Sequence, residues 1–182
     1  MTLLSSSLAE MSLTFVVGTA ADVFGEQFAR AVDSVINTRF PAASRVSDDV
    51  YRSDVVEASG WGALQFRAAD LLGGTAVPQI AGVEAYQGVY MPSGPENVEH
   101  IEIPNAADPL QVGNLDALIE ELRAFATSAE LPTDDVELMN LAARYLEDDE
   151  AFDSDLDVQT YVQLMLTAKQ AAARKQPLWI VV

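Results

Sequence analysis

Hydrophobic and polar positions divide this chain into short runs of distinct period. Residues 13–17 read LTFVV, an apolar, β-branched run closed by Gly18, which predicts a buried strand. Phe24, Phe28, Ala31, Val32 and Val35 then recur at spacings of three and four, predicting a helix over 20–38 with one apolar face, ended by Pro41. From Val50 the period changes. The stretch DVYRSDVVEASGWGALQFRAA predicts two strands, 50–57 and 61–68, joined at Ala58-Ser59-Gly60. Leu64, Phe66 and Ala68 alternate with Gln65 and Arg67, the pattern of a strand buried on one side. LLGGTAVPQIAG predicts a loop. GVEAYQGVYM and VEHIEI flank PSGPEN and predict a second hairpin, with Ile101 and Ile103 alternating with His100 and Glu102.

After Asn105 the pattern becomes helical. Leu115, Leu118, Ile119, Leu122, Phe125 and Ala126 form one stripe behind Asn114 as N-cap. A second helix is predicted over 134–146, capped at Asp134 and Glu137 and striped by Leu138, Leu141, Ala142 and Tyr145. A third is predicted over 156–175, with Val158, Tyr161, Val162, Met165, Ala168 and Ala172 inward and Asp155 as N-cap. PLWIVV predicts a short C-terminal strand beside 13–17.

Runs of strands followed by runs of helices argue for an α+β fold. The expectation is a mainly antiparallel sheet of five to six strands, with one N-terminal helix and a C-terminal group of three helices packed on one face. Residues 1–10 are read as a tail and 11–182 as one domain. A change of character near 105–113 separates a sheet half from a helical half, each too small to favour folding alone.

Composition changes this picture at one point, the charge. Against 10 Lys and Arg stand 28 Asp and Glu, a net charge of −18. Between Asp134 and Asp157 ten acids meet a single base, Arg144. Such a field repels nucleic acid and anionic membrane and attracts basic proteins or cations. The bland account of the same excess is solubility. The absence of cysteine removes disulfides, thiolate metal sites and cysteine nucleophiles, and fits a cytoplasmic setting. No apolar run approaches the ~20 residues of a membrane span, and no Lys or Arg precedes the first apolar residues as in a secretory signal.

Catalytic patterns fail residue by residue. GTAADVFG after the first strand lacks G-x-G-x-x-G, so Gly18 reads as a plain turn. The single histidine, His100, reads as a surface partner of Glu102 rather than a catalytic base. Asp153, Asp155 and Asp157 match positions 1, 3 and 5 of a calcium loop, but Val158 and Leu164 stand where that loop needs glycine and a bidentate acid. No cofactor is implied, and the balance leans away from an enzyme.

The leading expectation is an acidic interaction protein that binds a basic protein, in the manner of an immunity protein, an inhibitor or an acidic chaperone. Its contact residues would be Asp134, Asp135, Glu137, Glu147, Asp148, Asp149, Glu150 and Asp153. Within 147–157, Asp155 and Asp157 suit the start of the third helix, where the dipole favours them, whereas 147–150 follow a helix end, where it opposes them. Two alternatives stand beside it. One is a small-molecule or catalytic site among the aromatics Trp61, Tyr86, Tyr90 and Trp179. The other is a structural protein that binds Ca²⁺ or Mg²⁺ weakly.

Overall fold

The computed structural model describes residues 11–40, 49–85, 88–147 and 155–182. It is an α+β fold built on one seven-stranded sheet. The strands are β1 (Ser12–Val17), β2 (Tyr51–Arg52), β3 (Val56–Glu57), β4 (Gly88–Met91), β5 (Glu99–Ile101), β6 (Leu110–Asn114) and β7 (Leu178–Val181). Their order is β2-β1-β7-β4-β6-β5, with β3 also on β1. All pairs are antiparallel except β4 with β6. The C-terminal strand lies beside β1 as expected, and it also joins β1 to β4, with Trp179 opposite both Val16 and Val89.

Period two sorts each strand between two cores. Leu13, Phe15 and Val17 face one side with Tyr90, Leu178 and Ile180, whereas Val16, Val89, Met91 and Trp179 face the other. Both faces are buried, which explains the continuous apolar runs LTFVV and LWIV. Helix α1 (Glu26–Arg39) covers the second face through Ala29, Val32 and Ile36. The remaining helices lie on the first: α2 (Ala58–Leu72), α3 (Pro78–Gly82), α4 (Leu115–Ala129), α5 (Asp135–Glu147) and α6 (Leu156–Arg174). Helices therefore sit on both faces, because alternate residues of β1, β4 and β7 are apolar on both.

Helix α6 is the hub, touching α2, α4, α5 and β1. Its buried threonine hydroxyls are satisfied within the helix: Thr160 donates to the Leu156 carbonyl at 2.8 Å and Thr167 to the Gln163 carbonyl at 2.6 Å. Gln163 accepts the Asp54 amide and donates to its carboxylate, tying α6 to the segment between β2 and β3.

Several expectations are corrected. The helices cover both faces of the sheet rather than one, and residues 71–82, read as a loop, carry the short helix α3. Residues 61–68 are not a strand but the middle of α2, whose buried positions Ala58, Trp61, Leu64 and Ala68 follow a helical spacing. Phe66, the residue that suggested alternation, is 77% exposed. The second hairpin does not form. β4 and β5 are separated by β6, which pairs with both, so the segment around 105–113 that read as a boundary supplies an interior strand. Gly113 is needed there for packing rather than for a turn, since a Cβ would meet the Tyr90 ring and the Gln79 side-chain Oε1 at 2.6 Å. Finally, the strand over 50–57 is broken at Ser53, whose hydroxyl rather than its carbonyl accepts the Phe15 amide at 3.0 Å.

Candidate functional site

Of the acids singled out in the sequence, Asp134, Asp135, Glu137 and Glu147 lie on α5 or at its cap. Asp134 caps this helix, its Oδ1 accepting the amides of Val136 at 2.9 Å and Glu137 at 3.4 Å. Asp135 pairs with Lys169 of α6, whose ammonium also donates to the Thr133 carbonyl. Two of the acids thus anchor the start of α5. Glu137 and Glu147 form no ion pair among the described residues and point into solvent. Asp148, Asp149, Glu150 and Asp153 lie outside the described residues.

Helix α5 packs chiefly on α6. Leu138 and Ala142 are buried against it, with Leu141 and Tyr145 partly covered. Tyr145 donates to Asp155 at 3.3 Å, so Asp155 stands at the N-cap position of α6 but turns its carboxylate to α5. Burial and the Asp155 charge push the Tyr145 phenol up to about 12. The opposite side of α5 is also apolar. Val136, Met139 and Leu146 are 61%, 54% and 67% exposed. With exposed Ala143 they are spaced three, four and three apart.

Alongside this stripe runs an open groove of about 560 Å³ between α5 and the turn that precedes it. Leu131, Pro132 and Leu141 form its apolar part, and Glu130, Glu137 and Arg144 its charged part. The turn is held by Glu130, in the left-handed conformation with φ 55° at the end of α4, and by Tyr161, which donates to the Pro132 carbonyl at 2.7 Å. Among the described residues, Arg30, Arg39, Arg67, Arg123, Lys169 and Arg174 are engaged in ion pairs.

The aromatic set is not gathered into one place. Trp61 and Tyr90 lie on the α2 side of the sheet and Trp179 on the α1 side; Tyr86 is outside the described residues. The polar atom of each described member bonds inward, Trp61 Nε1 to the Val83 carbonyl, Tyr90 to the Gln79 carbonyl and Trp179 Nε1 to the Gly18 carbonyl, at 2.8, 2.8 and 2.9 Å. A half-open cleft of about 590 Å³ does exist on the α1 side, walled by Phe24, Phe28, Ile103, Leu110 and Val181, with Asp108 at its rim. Trp179 stands behind this wall, edge-on to Phe24.

One carboxylate is buried away from these surfaces. Glu121 of α4 accepts the amides of Gln79 and Ile80, at the start of α3, at 2.8 to 3.0 Å. Burial pushes it up, and the two amide bonds pull it down by less. His100 is exposed on the edge strand β5. Asp157, from the calcium-like triplet, pairs with Arg67 of α2. Among the described residues, no three acidic or histidine side chains come together as a metal site, and no helix is long and apolar enough to cross a membrane.

The outer stripe of α5 escaped the sequence reading, although its signal was present. Val136, Met139, Ala143 and Leu146 have helical spacing, but the stronger stripe of Leu138, Leu141, Ala142 and Tyr145 had already accounted for the helix. Comparison of the chain with protein-family models, curated proteins and solved structures gives no match.

Proposed function

We propose that this protein is an acidic interaction protein that binds a basic protein partner through α5 and the turn before it. The observation that carries the reading is the division of labour among the acids of α5. Asp134 and Asp135 are committed to the cap and to Lys169, while Glu137 and Glu147 face outward beside a groove rimmed by Glu130. Acid directed outward on a helix of a chain with net charge −18 attracts a basic surface from a distance and then aligns it. Such association is fast and weakens with salt. Immunity-type inhibitors and acidic chaperones both act in this way.

The test is affinity capture at low salt from the cells that make the protein, with Glu137→Gln/Glu147→Gln as the control bait. A basic protein retained by the wild type, released by salt and retained less by the variant supports the reading. Retention without basic bias, or equal on both baits, counts against it.

A second reading rests on the cleft at Phe24 and Phe28, whose volume suits a small ligand and whose walls are apolar with one carboxylate at the rim. A thermal-shift panel of apolar amines probes it. A stabiliser whose effect disappears in Phe28→Ala supports this reading, and silence across the panel opposes it.

A further inference from the structure

Single exposed apolar residues are ordinary on a protein surface. Four on one face of one helix are not. From Val136 to Leu146 the outer stripe runs about 15 Å along α5, at the 1.5 Å rise of a helix. Its three, four, three spacing is the seam spacing by which one helix receives another. The stripe is also separate from the face that holds α5 in the fold. Its centre lies about 130° around the helix from the Leu138–Tyr145 face, at 100° per residue. Packing on α6 therefore leaves it uncovered.

The surroundings of the stripe set the chemistry of what covers it. On one flank stand Glu137 and Glu147, and next to them the groove with Glu130; the single base on this flank is Arg144. A second copy of this chain, itself of net charge −18, would bring the same acids to the contact, which opposes self-pairing. A basic helix instead meets opposite charge on the flank and apolar surface at the seam.

We infer that α5 is the receiving half of a helix-on-helix contact, and that the partner presents a basic amphipathic helix with apolar residues three and four apart, seated on Val136, Met139 and Leu146. This rests on the basic-partner reading and adds the contact mode to it. Charge supplies approach and orientation, and the stripe supplies the selection between basic partners.

The experiment uses two synthetic peptides of identical leucine, alanine and lysine composition. One places its leucines three and four apart, and the other scrambles them. Each is titrated by fluorescence anisotropy against the full chain and against Met139→Ser/Leu146→Ser, at low and high salt, after both proteins are shown to melt alike. The expected result is about tenfold tighter binding of the patterned peptide to the wild type, as loss of two apolar contacts implies. That preference should vanish in the variant, while a weak, salt-sensitive attraction to both peptides remains. Equal binding of the two peptides to the wild type overturns the inference and leaves the basic-partner reading standing. No salt-sensitive binding of either peptide overturns both. A dimer by sedimentation that the double variant abolishes assigns the stripe to a second copy and overturns the inference in favour of self-association.

Discussion

Gly60 of α2 and Thr160 of α6 meet with no space for a side chain between them. A Cβ on Gly60 would fall 2.3 Å from Thr160 Oγ1 and 2.7 Å from the Leu156 carbonyl oxygen. Thr160 cannot simply turn away, because its hydroxyl is already bonded to that same carbonyl. This contact sets how closely α2 approaches the central helix.

Gly60→Ala is therefore expected to destabilise the fold despite the better helix propensity of alanine. Propensity favours the change by about 1 kcal/mol, while overpacking at a backbone contact costs about 1–3 kcal/mol. The clash is with a carbonyl as well as a side chain, so the upper end applies and the net loss is about 2 kcal/mol. Urea denaturation measures it. Adding Thr160→Ala should recover only part of the loss, since the Leu156 carbonyl remains; full recovery would place the whole clash on the hydroxyl.

Glu121 supports a prediction of the opposite kind, the loss of an acceptor. Pro78 opens α3, and the Glu121 carboxylate accepts the next two amides, those of Gln79 and Ile80. Glu121→Ala leaves both unpaired in a buried place, at about 1–3 kcal/mol for each. Removal of a desolvated carboxylate offsets part of this, so a net loss of about 2 kcal/mol is expected. Faster hydrogen exchange confined to the amides of α3 would locate the effect.

The same group has a defined pH signature. Its folded pKa lies above the ordinary 4.5, raised by burial. The folded chain thus holds this proton more tightly than the unfolded one, and the resulting stabilisation is complete below pH 4.5 and lost as pH rises through the folded value. Glu121→Gln cannot titrate. The stability of the wild type relative to that variant should therefore improve as pH falls from neutral towards 4.5. A difference that stays flat over that window would mean that Glu121 titrates alike in both states.

The corrected elements share a physical cause: each was misread where tertiary packing replaced a local rule. The helical half was legible because α4 and α5 each bury one face, which 3.6-residue periodicity reports directly, while α6, buried on nearly all sides from Val158 to Met165, still spaces its apolar residues by three and four. Residues 61–68 were ambiguous. Leu64 and Ala68 satisfy either period, and Phe66 belongs to the alternation only if it is buried, which it is not. β6 looked like a boundary because Gln111 and Gly113 are poor strand signals. Yet Gln111 is buried with its side-chain Oε1 accepting the Glu84 amide, and Gly113 is required by the Tyr90 ring. The acids of α5 were legible as candidates, but their separation into anchors and outward charges depends on where Lys169 of α6 falls.

Tyr145 links α5 to the start of α6 and should titrate late. Its phenol lies at about 12 against an ordinary 10.0, raised first by burial and then by Asp155. Asp155→Asn should lower it without restoring 10.0, because burial is the larger cause. Ultraviolet titration of the wild type and the variant reads the difference. The stabilisation from this raised phenol is complete below pH 10.0 and lost as pH rises through about 12. Alkaline unfolding should accordingly begin in the α5 region.

The two apolar faces of α5 predict opposite responses to similar substitutions. Leu138 is fully buried against the core, so Leu138→Ala should cost about 2–5 kcal/mol. Met139 and Leu146 are more than half exposed, and Met139→Ser/Leu146→Ser should change stability by no more than about 0.5 kcal/mol per site, as for surface positions generally. Thermal and urea melts of the free protein give both numbers. If the outer substitutions cost as much as the inner one, the stripe belongs to the fold and is not available to a partner. If they cost nothing, the chain carries an apolar helix face that its own stability does not require.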